Sequence, residues 1–493
     1  MVRKRGSLVI SEMQSPIYDA HKGERGKRIF VFGISGATWT QIDPLLQSGR
    51  LPAMKSLIDR GARAQLLSTR VAGDKHFRPQ IAWPTIATGV EPVKHRVTRF
   101  FHTADDIVVP TIWERFQQSG RRIGMFGWPI SWPVRPVKGF LIPGYDGRDP
   151  QTWPSEHSYI RTLDRRAEAA RDGRENLGKL PLIESFGLLQ KLIRGGVRAS
   201  TFLRLIGSMI DIYLFAPDEL RPFLLRHARL DINVDIFLNL FRKHTPDFAA
   251  FVTFLVDYAE HRFWMFQEPD KFADAPMQIA PRLARAVGES YVAVDHALGK
   301  ILRQLDPQTI VAVLSEHGMA IEPISAEIGL LHWVLRPGRL KEFVGIDQAV
   351  PAVPVARWIA FRPPADQQAA VADRFRSVRI AGTDLPLFQI DVHRDEVIVK
   401  LALWRKTLPG REELDSLQVR CNGHTVPFVE IAQRFGRRRS AMHAENAVLI
   451  LAGLGVRRAD IGAARLIDIA PTLLKAAGIN ALNGLDGRVL DVF

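Results

Sequence analysis

Near-continuous apolar runs, not alternation of apolar and polar positions, mark the strongest elements of this chain. Arg28-Ile-Phe-Val-Phe-Gly-Ile34, Phe248-Ala-Ala-Phe-Val-Thr-Phe254 and Thr309-Ile-Val-Ala-Val-Leu314 each read as a strand covered on both faces. Between them the apolar period lengthens to that of a helix. Leu51–Arg60 carries Pro52 in its first turn, Met54, Leu57 and Ile58 on one face, and Gly61 at its end. Leu283–Leu305 places Val287, Tyr291, Val294, Leu298 and Ile301 at spacings of four and three. Strands alternating with helices predict an α/β fold, a doubly wound and largely parallel sheet whose sites lie at the carboxyl ends of its strands. Ser35, Asp257 and Glu316-His317 fall at such ends.

Two stretches break the rhythm. Residues 156–240 are rich in Leu, Arg and Ala and read as a helical insertion. Residues 336–439 carry shorter β-like runs, Trp358–Phe361 and Glu396–Leu401, and read as a cap insertion over the strand ends. The expected division is a mobile arm over 1–26, core segments over 27–155, 241–335 and 440–493, and these two insertions. Phe202–Leu214 is apolar with few charges but too short to span a bilayer; ordinary helix packing is its commoner use, contact with a membrane surface or a partner its alternative.

The 493 residues, 46% hydrophobic, suffice for a large core, and a net charge of +15 favours anionic partners such as phosphates. Basic residues are spread out and not interleaved with aromatics, which argues against a dedicated nucleic-acid module. A single cysteine, Cys421, excludes an intramolecular disulfide and a thiolate metal site. The basic start followed only by Leu8-Val-Ile10 is too short for a signal-peptide core, so a cytoplasmic location is expected.

Three groups of residues are candidates for chemistry. Asp257 and His261 lie four apart and share a face if a helix starts there; with His443 they make a carboxylate and two imidazoles, the donor set of an open zinc site. A solvated Asp–His pair is the commoner use of that spacing. Glu316-His317-Gly318 follows a buried strand, and Gly318 allows a sharp turn. Arg78–Gly89 reads as a loop entering a helix, whose start offers free N–H groups to a phosphate.

These segments together resemble the type I phosphodiesterase/nucleotide pyrophosphatase branch of the alkaline phosphatase superfamily. The resemblance runs through Ser35-Gly-Ala-Thr-Trp39, Gly49-Arg-Leu-Pro52 to Leu57, Trp83-Pro-Thr-Ile-Ala-Thr-Gly89 to His95-Arg96, and Gly124 to Pro133. It continues in Asp257-x-x-x-His261-x-x-Trp264, Ser315-Glu-His-Gly-Met319, Asp468-Ile-Ala-Pro-Thr-Leu-Leu474 and Asp486-Gly-Arg-x-Leu490.

The resemblance implies two metals, usually zinc, that clamp a phosphoryl group, and a Ser or Thr nucleophile. Asp257, His261 and His443 match the first metal's ligands. Positions 35, 316 and 317 match the second's, but Ser35 and Glu316 replace two Asp and only His317 is kept. One zinc is therefore expected, manganese being its alternative, with the second site weak or absent. The nucleophile position holds Pro79, without a hydroxyl. Ser35, His76 and Thr85 are the substitute catalytic candidates, with Ser68 and Thr69 further upstream, and Lys75, His76 and Arg78 are candidates to face a phosphate. The implied function is a metal-dependent phosphohydrolase or phosphodiesterase of altered mechanism acting on a phosphorylated small molecule or a lipid- or sugar-linked phosphoester; the alternative is a pseudoenzyme that binds an anionic ligand or a protein partner.

Overall fold

The structure, a computed structural model, describes residues 27–74, 76–171, 182–272, 275–321, 333–355, 358–402, 416–434 and 440–493. The expected arm over 1–26 and Lys75 lie outside the described residues.

An eight-stranded sheet forms the centre. Its order is Ala459–Arg465, Ala62–Leu67, Asn446–Ala452, Ile310–Leu314, Ile29–Ile34, Phe248–Thr253, Ile123–Trp128, Gly139–Pro143. Asn446–Ala452 runs antiparallel to both neighbours, and every other pairing is parallel. The three apolar runs of the sequence are the three adjacent central strands, buried at every position. Their side chains divide between two cores. Phe30, Phe32 and Ile34 enter one with Phe251 and Val313, whereas Ile29 and Val31 enter the other with Phe248 and Ala312. A strand that feeds a core on each face has no position for a polar residue, which is why these strands read as unbroken apolar runs.

Gly33 breaks the run for a steric reason. A Cβ there would lie 2.5 Å from the Trp83 ring, which instead packs against the strand and meets Trp128 edge-on at 4.8 Å.

The described part of the 156–240 segment is helical: Ser158–Arg171, Leu182–Arg194, Ala199–Leu214 and Arg221–His244, the last carrying Phe237 into the core. No described helix is long and apolar enough to cross a membrane. Within 336–439, Trp358–Phe361 and Glu396–Leu401 pair antiparallel in a four-stranded sheet with its own hydrophobic core. That sheet is tied to the main body by a buried ion pair. Arg148 bonds Glu396, both at most 5% exposed, and its guanidinium lies 5.4 Å and 5.3 Å from the centres of the Trp132 and Trp358 rings. His393 and Arg394 add a second tie to Asp106 at 3.0 and 3.1 Å.

The direction of one strand decides where the candidate residues meet. Ile29–Ile34, Phe248–Thr253 and Ile310–Leu314 end at a common edge, so Ser35, Asp257 and Glu316-His317 emerge there. Asn446–Ala452 runs the other way, so its beginning, not its end, lies at that edge. His443, three residues ahead of it, is thereby delivered to the same place and pairs across from Met319.

Candidate metal centre

Asp257 sits in the first turn of the helix Leu255–Gln267, and His261 follows one turn later on the same face. Gly36, at φ +83°, lets the end of the first strand press against that turn; a Cβ there would lie 3.0 Å from the Asp257 Cα. The Asp257 N–H donates to the Ser35 carbonyl at 3.1 Å.

Three donor atoms converge. Asp257 Oδ1 lies 3.4 Å from His261 Nε2 and 3.3 Å from His443 Nε2, and the two Nε2 atoms are 3.0 Å apart. Bonds of about 2.0–2.1 Å to a tetrahedral ion set its ligand atoms about 3.3 Å apart, so the triangle has the dimensions of a three-ligand zinc-type face.

The orientation of the rings supports the same use. His261 Nδ1 bonds the Ala441 carbonyl at 2.7 Å, and His443 Nδ1 bonds the Phe77 carbonyl at 2.7 Å. A carbonyl only accepts, so both Nδ1 atoms carry a proton, and both Nε2 atoms face the centre of the triangle. Burial, and then the charge of His317, push the His443 pKa down to about 3, so that ring is neutral. Burial alone would raise the Asp257 carboxyl, but the facing His261 and His443 outweigh it and hold the group well below the usual carboxylate range. An anionic oxygen and two imidazole nitrogens aimed at one point suit a cation at that point. Asp257 Oδ1 has no hydrogen-bond partner among the described residues although it is buried.

His317 and Glu316 belong to the same cluster. The His317 ring stacks on His443 at 3.8 Å, and Asp257, His317 and His443 can also bring donor atoms within 4.8 Å of one another. Here the chain satisfies part of its own chemistry, leaving Glu316 Oε2 and His317 Nε2 buried without a hydrogen-bond partner among the described residues. Ser35 Oγ donates to Glu316 Oε1 at 2.6 Å, and His317 Nε2 faces the same oxygen at 3.2 Å. The His317 Nδ1 bonds the Gly318 carbonyl at 3.0 Å. The extra methylene of Glu gives its carboxylate the reach to engage a serine on the neighbouring strand end.

The remaining sequence candidates lie elsewhere or are otherwise occupied. Pro79 is the first residue of the helix Pro79–Thr88 and is buried. Thr85 is fully buried inside that helix, donates to the Ile81 carbonyl at 2.9 Å and meets His95 Nε2 at 3.0 Å. The cluster does not include it. Thr85→Val is accordingly expected to leave phosphoester turnover within about twofold while costing about 1–3 kcal/mol, because the buried His95 loses its partner. Thermal melting and a steady-state assay on one preparation check both halves. Ser68 is buried and gives its hydroxyl to the Glu316 carbonyl at 2.6 Å. His76 is exposed, next to the Phe77 whose carbonyl orients His443, and Arg78 is paired with Asp74.

Sequence reasoning missed the groups that hold the ligands in place. The carbonyls of Ala441 and Phe77 carry no side-chain signature. Glu260, between the two helix ligands, is fully buried; burial, reinforced by nearby Asp257, raises its pKa well above the carboxylate range against the bond from Tyr291. Tyr291 Oη donates to Glu260 at 2.8 Å and accepts from the Thr38 N–H at 3.1 Å, joining the ligand helix to the loop after Ser35. Glu260 stands among Asp257, His261 and Arg262 in the sequence, so no apolar surround marked it as buried.

Comparison with known families decides the lineage. The model of the type I phosphodiesterase/nucleotide pyrophosphatase family matches residues 29–396. The chain belongs to this family. The match takes in Ser35, Pro79, Asp257, His261, Glu316 and His317 and stops short of His443. No curated protein matches the sequence. Among solved structures, human ectonucleotide pyrophosphatase/phosphodiesterase 5 aligns over 92% of this chain and 96% of its own, at 12% identity and a TM-score of 0.42. The murine protein aligns over the same shares at 13% identity and a TM-score of 0.38, as does its inactive variant in complex with AMP.

Proposed function

We propose that this protein hydrolyses a phosphate ester at a single divalent metal, with water in place of a side-chain nucleophile. The observation that carries the reading is the 3.0–3.4 Å triangle of Asp257 Oδ1, His261 Nε2 and His443 Nε2. Zinc suits that donor set best and manganese is its alternative. Such an ion supplies Lewis-acid polarisation of a phosphoryl oxygen and lowers the pKa of water.

The chain's own residues account for the rest. Asp257 brings the one negative charge of the triangle, and the Ala441 and Phe77 carbonyls lock both imidazoles with Nε2 inward. Glu316 Oε1 is held by Ser35, while Glu316 Oε2 and His317 Nε2 stay buried without a hydrogen-bond partner among the described residues, so this half of the cluster is engaged only in part. Pro79 has no hydroxyl to attack phosphorus. Hydrolysis then consumes one water: its oxygen bonds phosphorus, the ester P–O bond breaks, and the alcohol leaves with a proton. His76, exposed beside Phe77, is the basic side chain best placed along the chain to meet the substrate's anionic oxygens.

Turnover of bis-p-nitrophenyl phosphate and p-nitrophenyl phosphate in the presence of zinc or manganese tests the reading, and activity no higher than that of an Asp257→Ala control would sink it. The second half-site has its own test. Ser35→Asp combined with Glu316→Asp is expected to raise tightly held metal from about one to about two ions per chain, because both carboxylates regain the usual length. Metal analysis of the double variant reads this directly.

A second reading rests on Pro79 and on the 2.6 Å Ser35–Glu316 bond. A site with no hydroxyl at Pro79 and with Glu316 engaged by Ser35 suits a non-catalytic relative that binds an anionic ligand. Metal binding without turnover in the same assay favours it.

A further inference from the structure

A surface helix ordinarily buries its apolar stripe and turns its polar side to water. The helix Ala199–Leu214 packs Phe202 and Leu205 against the core and buries Ile212, and still turns a second apolar stripe to water. Its inward side carries the polar anchors. Thr201 Oγ1 donates to Asp235 at 2.6 Å, Arg204 pairs with Asp231 at 3.3 Å, and Asp211 is gripped by both terminal nitrogens of Arg282. These ties recur along the helix and fix its rotation. Leu203, Ile206, Ile210, Tyr213 and Leu214 therefore point outward, 51–71% exposed, and Phe215 continues the ridge at 70%. At 100° per residue those five positions cover a stripe about 100° wide, opposite Thr201 and Ile212.

The neighbouring helix Leu182–Arg194 adds Ile193, 57% exposed. The charged residues just ahead of this helix are basic, while the exposed Asp218 beyond Phe215 is paired with Arg221. Lys191, Arg194 and Arg198 are exposed, and between residues 187 and 215 the one acid is Asp211, already committed to Arg282. A ridge of this size on a soluble surface marks an interaction site.

We propose that this face docks on the surface of an anionic lipid bilayer. The large aliphatic side chains enter the boundary between headgroups and acyl chains, and Lys191, Arg194 and Arg198 meet the lipid phosphates. The alternative of a protein partner is poorly served here. Specific protein interfaces carry about one hydrogen bond per 100–200 Å², whereas Tyr213 Oη is the one side-chain hydrogen-bonding group on the outward stripe. The convex shape of a single helix and its basic flank match a bilayer surface better than a pocketed one. The inference is independent of the metal centre, so its failure leaves the hydrolase reading untouched.

Flotation of the full-length protein with vesicles of equal parts phosphatidylcholine and phosphatidylglycerol tests it. The wild type is expected to float with these vesicles and to bind pure phosphatidylcholine vesicles about tenfold less. Leu203→Glu with Ile206→Glu and Ile210→Glu is expected to lower binding by more than about tenfold. The substituted side chains are exposed, so the melting profile should be unchanged. Lys191→Glu with Arg194→Glu, which leaves the apolar ridge intact, should lower binding to the anionic vesicles only. No flotation of the wild type, or equal flotation of wild type and both variants, overturns the proposal. So does a self-associated species in sedimentation that the triple substitution dissolves, since the ridge would then be covered by a second copy.

Discussion

Replacing Asp257 by Ala is expected to lower metal affinity by more than about 100-fold and to take phosphoester turnover to background. The residue supplies the only anionic donor of the triangle, and its Oδ1 is the atom both imidazoles face, at 3.3 and 3.4 Å. Removing it leaves two imidazole nitrogens 3.0 Å apart with no carboxylate to balance a dication. The loss is chemical and not a matter of folding. Asp257 lies in the first turn of its helix, and its backbone bond to the Ser35 carbonyl survives the substitution. Calorimetric titration with zinc and an assay on bis-p-nitrophenyl phosphate read the two losses separately. Asp257→Asn keeps the shape and is expected to fail in the same way. Retained tight binding in either variant contradicts the assignment.

Glu396→Ala is expected to destabilise the protein by about 3–5 kcal/mol. The substitution strands Arg148, 5% exposed, in a site between Trp132 and Trp358 with its carboxylate gone. The Phe101 carbonyl remains as a partner, but a carbonyl does not neutralise a guanidinium. Arg362 also loses its 3.1 Å contact and keeps only the looser one to Asp395, at 3.9 Å. Glu396→Gln keeps an acceptor of the same shape and should cost less. Urea unfolding of the three proteins gives the order wild type, Gln, Ala. A cost below about 1 kcal/mol for the Ala variant would show that the pair is not the clamp between the two sheets.

How legible these features are from sequence follows from whether they depend on local pattern or on distant pairing. The three central strands read clearly because each feeds two cores, and that demand leaves no polar position. The Asp257–His261 pair read as a helix start because a spacing of four is a local property. His443 was a candidate whose link to that pair came only from the family resemblance, since its delivery depends on the reversed direction of Asn446–Ala452, which no local pattern reports. The Ser35–Glu316 bond joins positions 281 apart. Sequence comparison showed two altered ligands there but not that each alteration answers the other. Thr85 shows the other side of this: the motif pointed to its hydroxyl, and only the fold shows it buried and bonded to Ile81 and His95. For Ala199–Leu214 the apolar content was plain, but amphipathic spacing does not say which side faces out. The ties to Asp231, Asp235 and Arg282 decide that.

The central claim is one competent metal half-site beside one whose Glu316 is engaged by Ser35. Metal content after zinc loading and exchange into metal-free buffer tests it most directly. The account predicts about one tightly held ion per chain, lost in Asp257→Ala and retained in Glu316→Ala. Two tightly held ions per chain, or one that survives the loss of Asp257, would contradict it.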